Sequence, residues 1–149
     1  MAEAAQIEII TTSENIIELL VPGPEGAVAN VPAAIAYVLD GGGLALTPGL
    51  KGSVILPFAC TIQSWTLVAG NSGSITIDIW KSSFAGYPPG AANSICGGVK
   101  PQIVSGQKAS SSSLGAWATA LADGDVLSFS VDAASGVTLA SLSLKVIRN

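Results

Sequence analysis

The chain has 149 residues, 49% apolar and 11% charged, with ten Asp and Glu against six Lys and Arg and no His. Disorder requires more charge and less hydrophobicity, and a coiled coil requires Glu, Lys and Leu in heptads. A net charge of −4 argues against nucleic-acid binding, and the absence of His excludes His-based triads and His metal sites.

Charge is unevenly placed along the chain. All five Glu (Glu3, Glu8, Glu14, Glu18, Glu25) lie in the first 25 residues, where there is no Lys or Arg. The remainder holds five Asp and six Lys or Arg, a balance of +1. The first residues have neither a basic stretch nor a long apolar run, so no signal peptide is expected. Apolar runs are short throughout, so no membrane-spanning segment is expected either.

Residues 1–21 read as an acidic, apolar arm. Gln6–Ile10 alternates like an edge strand. The stretch from Glu14 to Val21 is β-branched and runs into Pro22, which favours a strand over a capped helix. Ile7, Ile9, Ile16, Ile17, Leu19 and Leu20 are too many large apolar side chains for the arm to bury by itself. They are expected to anchor it on the body or on a partner, at roughly 1.5–3 kcal/mol for each side chain fully buried. Residues 22–35 then read as a linker rich in Pro and Gly. Gly23 and Gly26 form one Gly-X-Y unit, too short for a collagen triple helix.

Residues 36–149 read as an all-β head. Leu39–Leu44 holds three consecutive Gly and is a turn. Ser53–Leu56 is a strand that Pro57 ends. Thr61–Ala69 and Ser74–Lys81 are strands joined by Gly70-Asn71-Ser72-Gly73, which predicts a hairpin. Ile75, Ile77 and Ile79 share one face, and Thr76, Asp78 and Trp80 the other. Ser82–Ser113 is dense in Gly, Pro and Ser and reads as surface loop, with short strands near Ile95 and Leu114–Trp117. Val126–Asp132 sets Leu127, Phe129 and Val131 against serines, and Val137–Ile147 is the last strand. The pattern predicts an antiparallel β-sandwich or jelly roll of about eight strands, extended by the N-terminal arm.

Little of this chemistry points to catalysis. Asp123 and Asp125 flank a turn glycine and read as turn chemistry. Asp78 lies mid-strand beside Trp80 and reads as a solvent-facing or hydrogen-bonded strand residue. Cys60 and Cys96 have no His to activate them and read as two buried thiols of a reducing compartment. The Asp-Gly-Asp turn lacks the ligand ladder of a calcium loop. No catalytic residue, cofactor or metal site is assigned. Aromatic rings in polar loops can stack on sugars. Trp65 reads as core, whereas Tyr87 and Trp117 are the candidates for glycan contact.

Four stretches of the head carry a resemblance: Lys51–Ile62, Ser74–Lys81, the pair Lys100-Pro101, and Gly124–Val131. Over residues 36–149 the chain resembles the C-terminal β module of bacteriophage tail-fibre and other virion-surface proteins. The arm and the Pro22–Gly26 unit resemble a fibre's N-terminal anchor and a collagen-like shaft cut to one repeat. The resemblance implies a homotrimer with a β-sandwich head in each subunit, located in the virion and assembled in the bacterial host cytoplasm, and from the residues no enzymatic activity is expected. The arm would bind other virion proteins of the tail or capsid, and the head would contact host-surface polysaccharide. Capsid decoration is the alternative, and a free lectin-like module the second alternative. A mean hydropathy of +0.58 is in keeping with apolar surface reserved for subunit contacts.

Overall fold

The structure is a computed structural model that describes residues 30–149. Ile7, Ile9, Ile16, Ile17, Leu19 and Leu20 of the expected arm therefore lie outside the described residues. Seven strands follow in chain order: β1 (Val31–Asp40), β2 (Gly49–Ile55), β3 (Cys60–Ser82), β4 (Gln102–Ser111), β5 (Ala120–Leu121), β6 (Val126–Ser135) and β7 (Leu139–Arg148). They form one antiparallel sheet in the order β1-β7-β3-β6-β2, with β4 and β5 both on β3. Among the described residues no helix is long and apolar enough to cross a membrane. The antiparallel all-β class predicted from the strand pattern is found. The established description is a sheet curled on itself, which is broader than a jelly roll.

The organising element is β3, with 23 residues. Its first half pairs with β7, from Cys60↔Arg148 to Ala69↔Ala140. Its second half pairs with β6, from Ser74↔Ser135 to Ser82↔Val126. The expected hairpin between Thr61 and Lys81 is thus not formed. Gly70–Gly73 is the place where β3 leaves β7 and joins β6. Along its other edge β4 accompanies both halves, and the register shifts between Val68 and Gly73, where β3 advances from Lys108 to Gly106 of β4. Extra residues on one strand of a pair bend it and strengthen its twist. Asn71 secures the bend by accepting bonds from Thr138 N (3.1 Å) and Oγ1 (3.0 Å). Gly73 is required there because a Cβ would lie 2.5 Å from the Ser135 carbonyl oxygen.

The bend lets the sheet close over its own inner face. Ile75, Ile77 and Ile79 are buried together with Leu67, Leu127, Phe129, Leu142 and Leu144. The Tyr37 ring of β1 stacks on Phe129 of β6 at 4.8 Å between centroids. Its hydroxyl donates to the Lys51 carbonyl of β2 at 2.9 Å. The two ends of the strand order therefore face one another across the core. Gly52 makes room, since a Cβ there would sit 1.8 Å from Tyr37 Oη.

Two boundaries differ from the sequence reading. Strand structure starts at Val31, not at 36, and its pairing with β7 runs from Val31↔Arg148 onward. Pro32 obscured this, but proline is tolerated in an edge strand, and β1 is one among the described residues. The stretch Ser82–Ser113 contains a full strand, β4, where surface loop was expected. Only Ile103 of β4 is buried, so it lacks the apolar alternation by which a strand is recognised.

Candidate functional site

The second half of β3 carries an organised loop. Segment 83–101 leaves the strand after Ser82 and returns along it. Ile95 N bonds to the Ile79 carbonyl at 2.9 Å, and Ile77 N to the Pro101 carbonyl at 2.9 Å. Asp78 holds the returning arm. Its side chain is buried, 3% exposed, and accepts from Ile79 N (2.9 Å), Trp80 Nε1 (2.9 Å) and Ser94 Oγ (2.5 Å). Lys100 Nζ lies 3.4 Å away and also pairs with Asp132. Burial pushes the Asp78 carboxyl up, but the bonds from Ser94, Trp80 and Ile79 and the Lys100 charge outweigh it, and the result lies below the ordinary aspartate value. A buried carboxylate with all these partners is a clamp. Of the two readings open for Asp78, solvent-facing or hydrogen-bonded, the structure selects the second, because the returning loop covers it.

Trp117 belongs to the same clamp. It is 7% exposed, and its indole Nε1 donates to the Val99 carbonyl at 2.7 Å. The expectation of a surface ring for glycan contact is therefore corrected. The returning loop lies against it: Ala118 N bonds to the Ile95 carbonyl at 2.8 Å, and the indole N–H finds its backbone partner at Val99. Trp65 is in the core, as expected. Cys60 and Cys96 are free and fully buried. Burial, opposed by a bond from Ile79 and reinforced by the Asp78 charge, pushes the Cys96 thiol up to about 12. Burial, with the Asp125 charge, raises Cys60 as well.

At the start of the loop the surface is different. Phe84 is 76% exposed and Tyr87 44%, beside Ile55 at the end of β2, 64% exposed. With Ser53 and Val126 these residues line a shallow cleft of about 200 Å³. Tyr87 is where the sequence reading placed it. Phe84 and Ile55 were not singled out, although a signal for Ile55 existed. Val54, Ile55 and Leu56 cannot all face inward on a strand of period two, and Ile55 is the one left outside.

The cleft is built for apolar contact. Its volume is below the 300–1,000 Å³ or so that encloses a drug-sized ligand. The Ser53 hydroxyl is already bonded to Ser128 Oγ at 2.7 Å, so few polar groups remain to meet sugar hydroxyls. A second, polar groove of about 330 Å³ is lined by Ser64, Trp65, Thr66 and Ser110–Ser112.

The Asp123-Gly124-Asp125 turn is closed internally, with Ala122 N bonded to Asp125 Oδ2 at 2.8 Å and Gly124 at φ +86°. Among the described residues no three Cys, Asp or Glu gather as metal ligands. Compared with protein-family models, with curated proteins and with solved structures, the chain finds no match.

Proposed function

We propose that the chain is a structural protein of a bacteriophage particle. It would form a trimeric β head of a short fibre or tail tip, held to other virion proteins by its N-terminal arm and facing host-surface polysaccharide. The observation that carries this reading is the cluster of Ile55, at the end of β2, with Phe84 and Tyr87 of the clamped loop, exposed together around one cleft. Scattered apolar side chains on a surface need no explanation, but a contiguous patch marks a contact site. Its low polarity favours another protein surface over a sugar as the immediate neighbour. The resemblance of the head strands and of the arm supports the virion setting, and the tail and capsid locations share this chemistry. No chemical step is assigned.

The test is the native mass of the full chain, with the Phe84→Ala variant beside it. A species near three times 14.8 kDa that weakens in Phe84→Ala supports the reading. A stable monomer that does not bind particles overturns it. The free lectin-like reading has one observation in its favour, the hydroxyl-lined groove beside Trp65. Saturable binding on a glycan array by a chain with no affinity for particles would favour that reading.

A further inference from the structure

Four strands have an open edge among the described residues. β2 pairs only with β6, β4 and β5 only with β3, and β1 only with β7, and β5 is two residues long. Proteins blunt open edges with charge, bulges and shortness. β2 is seven residues long, contains Gly49, Lys51 and Gly52, and shifts register between Leu50 and Gly52. β4 carries Lys108 and shifts register twice against β3. β1 has little such protection. It runs ten residues in unbroken register with β7, and Asp40 at its last position is its only charged residue. Pro32 guards its beginning alone. A long, regular, uncharged edge is a template for another strand.

The chain outside the structure ends where this edge begins. Asn30 bonds through its N–H to the Arg148 carbonyl at 2.9 Å and has φ +63°. A left-handed residue turns the chain at that point. Lys145 sits beside Ala34 in the adjacent strand, and no carboxylate among the described residues lies within 4 Å of it. Every Glu of the protein lies in residues 1–25.

We infer that residues 15–21 of the same chain pair antiparallel with the open edge of β1. With residues 22–30 as the connection, Val21 opposite Val31 places Leu19 opposite Ala33 and Ile17 opposite Ile35. These apolar side chains then extend the inner face, where Ala33 and Ile35 already pack on the core. Glu18 falls opposite Ala34, on the outer face. It and Lys145 then flank the small Ala34 side chain across two strand spacings, about 9.5 Å, a gap that two long side chains bridge. A register one residue off would turn Glu14 and Glu18 inward. The inference goes beyond the virion reading and stands without it. It also divides the arm, leaving Ile7 and Ile9 to reach a partner.

The test is a paired-cysteine experiment in the full chain. Glu18→Cys with Ala34→Cys should oxidise to an intrachain disulfide, because directly opposed residues meet the Cα separation that the bond needs. Glu18→Cys with Val38→Cys, four residues out of register, should not. The buried native thiols do not compete. No disulfide, equal yields from both pairs, or a disulfide-linked dimer would each overturn the inference. The dimer would place a neighbour's segment at the edge. Hydrogen exchange gives an independent readout. Ile17→Pro should speed exchange in Val31–Asp40 by about tenfold or more while Ile75–Ile79 stays protected. Unchanged exchange in β1 would also overturn it. The native mass, monomer or trimer, bears only on the virion reading, so the two fail separately.

Discussion

Asp78 shows why a buried carboxylate need not be catalytic. Each oxygen already has donors, and Lys100 is shared with Asp132. Asp78→Asn should loosen segment 83–101 and destabilise the fold by roughly 1–3 kcal/mol, measured by urea denaturation. The pH dependence has a definite sign. The folded carboxyl titrates below its ordinary value, so its contribution is complete above the unfolded aspartate pKa of about 3.9 and is lost as pH falls through the lower folded value. Exchange in the loop should therefore rise in acid, below about pH 4, and Asp78→Asn should abolish that dependence. Cys96, pushed up to about 12, and Cys60, also raised, should resist a thiol reagent at pH 8 in the folded chain. Both should react once it is unfolded. Fast modification of either in the folded state would contradict their burial. Residue by residue, Trp65 was legible because its neighbours along the strand define its face, and for Asp78 the strand gave the face but not the loop that buries it. Trp117 was not legible, because what covers it is a loop distant in sequence.

At the scale of elements, the decisive feature is the bend in β3. Gly70-Asn71-Ser72-Gly73 has the composition of a hairpin turn, and local chemistry does not distinguish the two outcomes. The partners do. β4 lies along both halves of β3, and Asn71 bonds to Thr138 instead of closing a turn of its own. Gly73→Ala should cost about 1–3 kcal/mol through the forced contact with the Ser135 carbonyl, read as a lowered denaturation midpoint. Gly70→Ala meets only the Leu139 region at 3.5 Å or more and should be milder. If the two substitutions cost the same, the bend is not what Gly73 serves. β4 was missed for a related reason. Its solvent-facing residues and glycine erase the period of two, and its strand character comes from pairing with β3. The buried strands Ser74–Lys81 and Val126–Asp132 were legible because one of their faces is continuously apolar.

At the scale of the whole molecule, curling brings β1 against β2 and places Ile55 beside Phe84 and Tyr87. Phe84 is exposed, so Phe84→Ala should leave stability within about 0.5 kcal/mol while weakening any association that uses the cleft. Thermal denaturation and native mass separate the two effects. A chain beginning at Glu14 should keep its native mass and its sheet but lose binding to particles if Ile7 and Ile9 reach a partner. Retained binding would remove them from that role. A cut beyond residue 30 would remove the first positions of β1. The sequence by itself determined the all-β class, the buried faces of the central strands, the turn role of Asp123 and Asp125, and the separation of an acidic leader from a nearly neutral body. These follow from period, composition and charge, which are local properties. The tertiary structure alone decided that β3 is one bent strand, that Trp117 is buried, that Asp78 clamps a loop, and that Ile55 and Phe84 share a cleft. Each depends on which distant segment lies against a given face, and pairing across the sheet settles that.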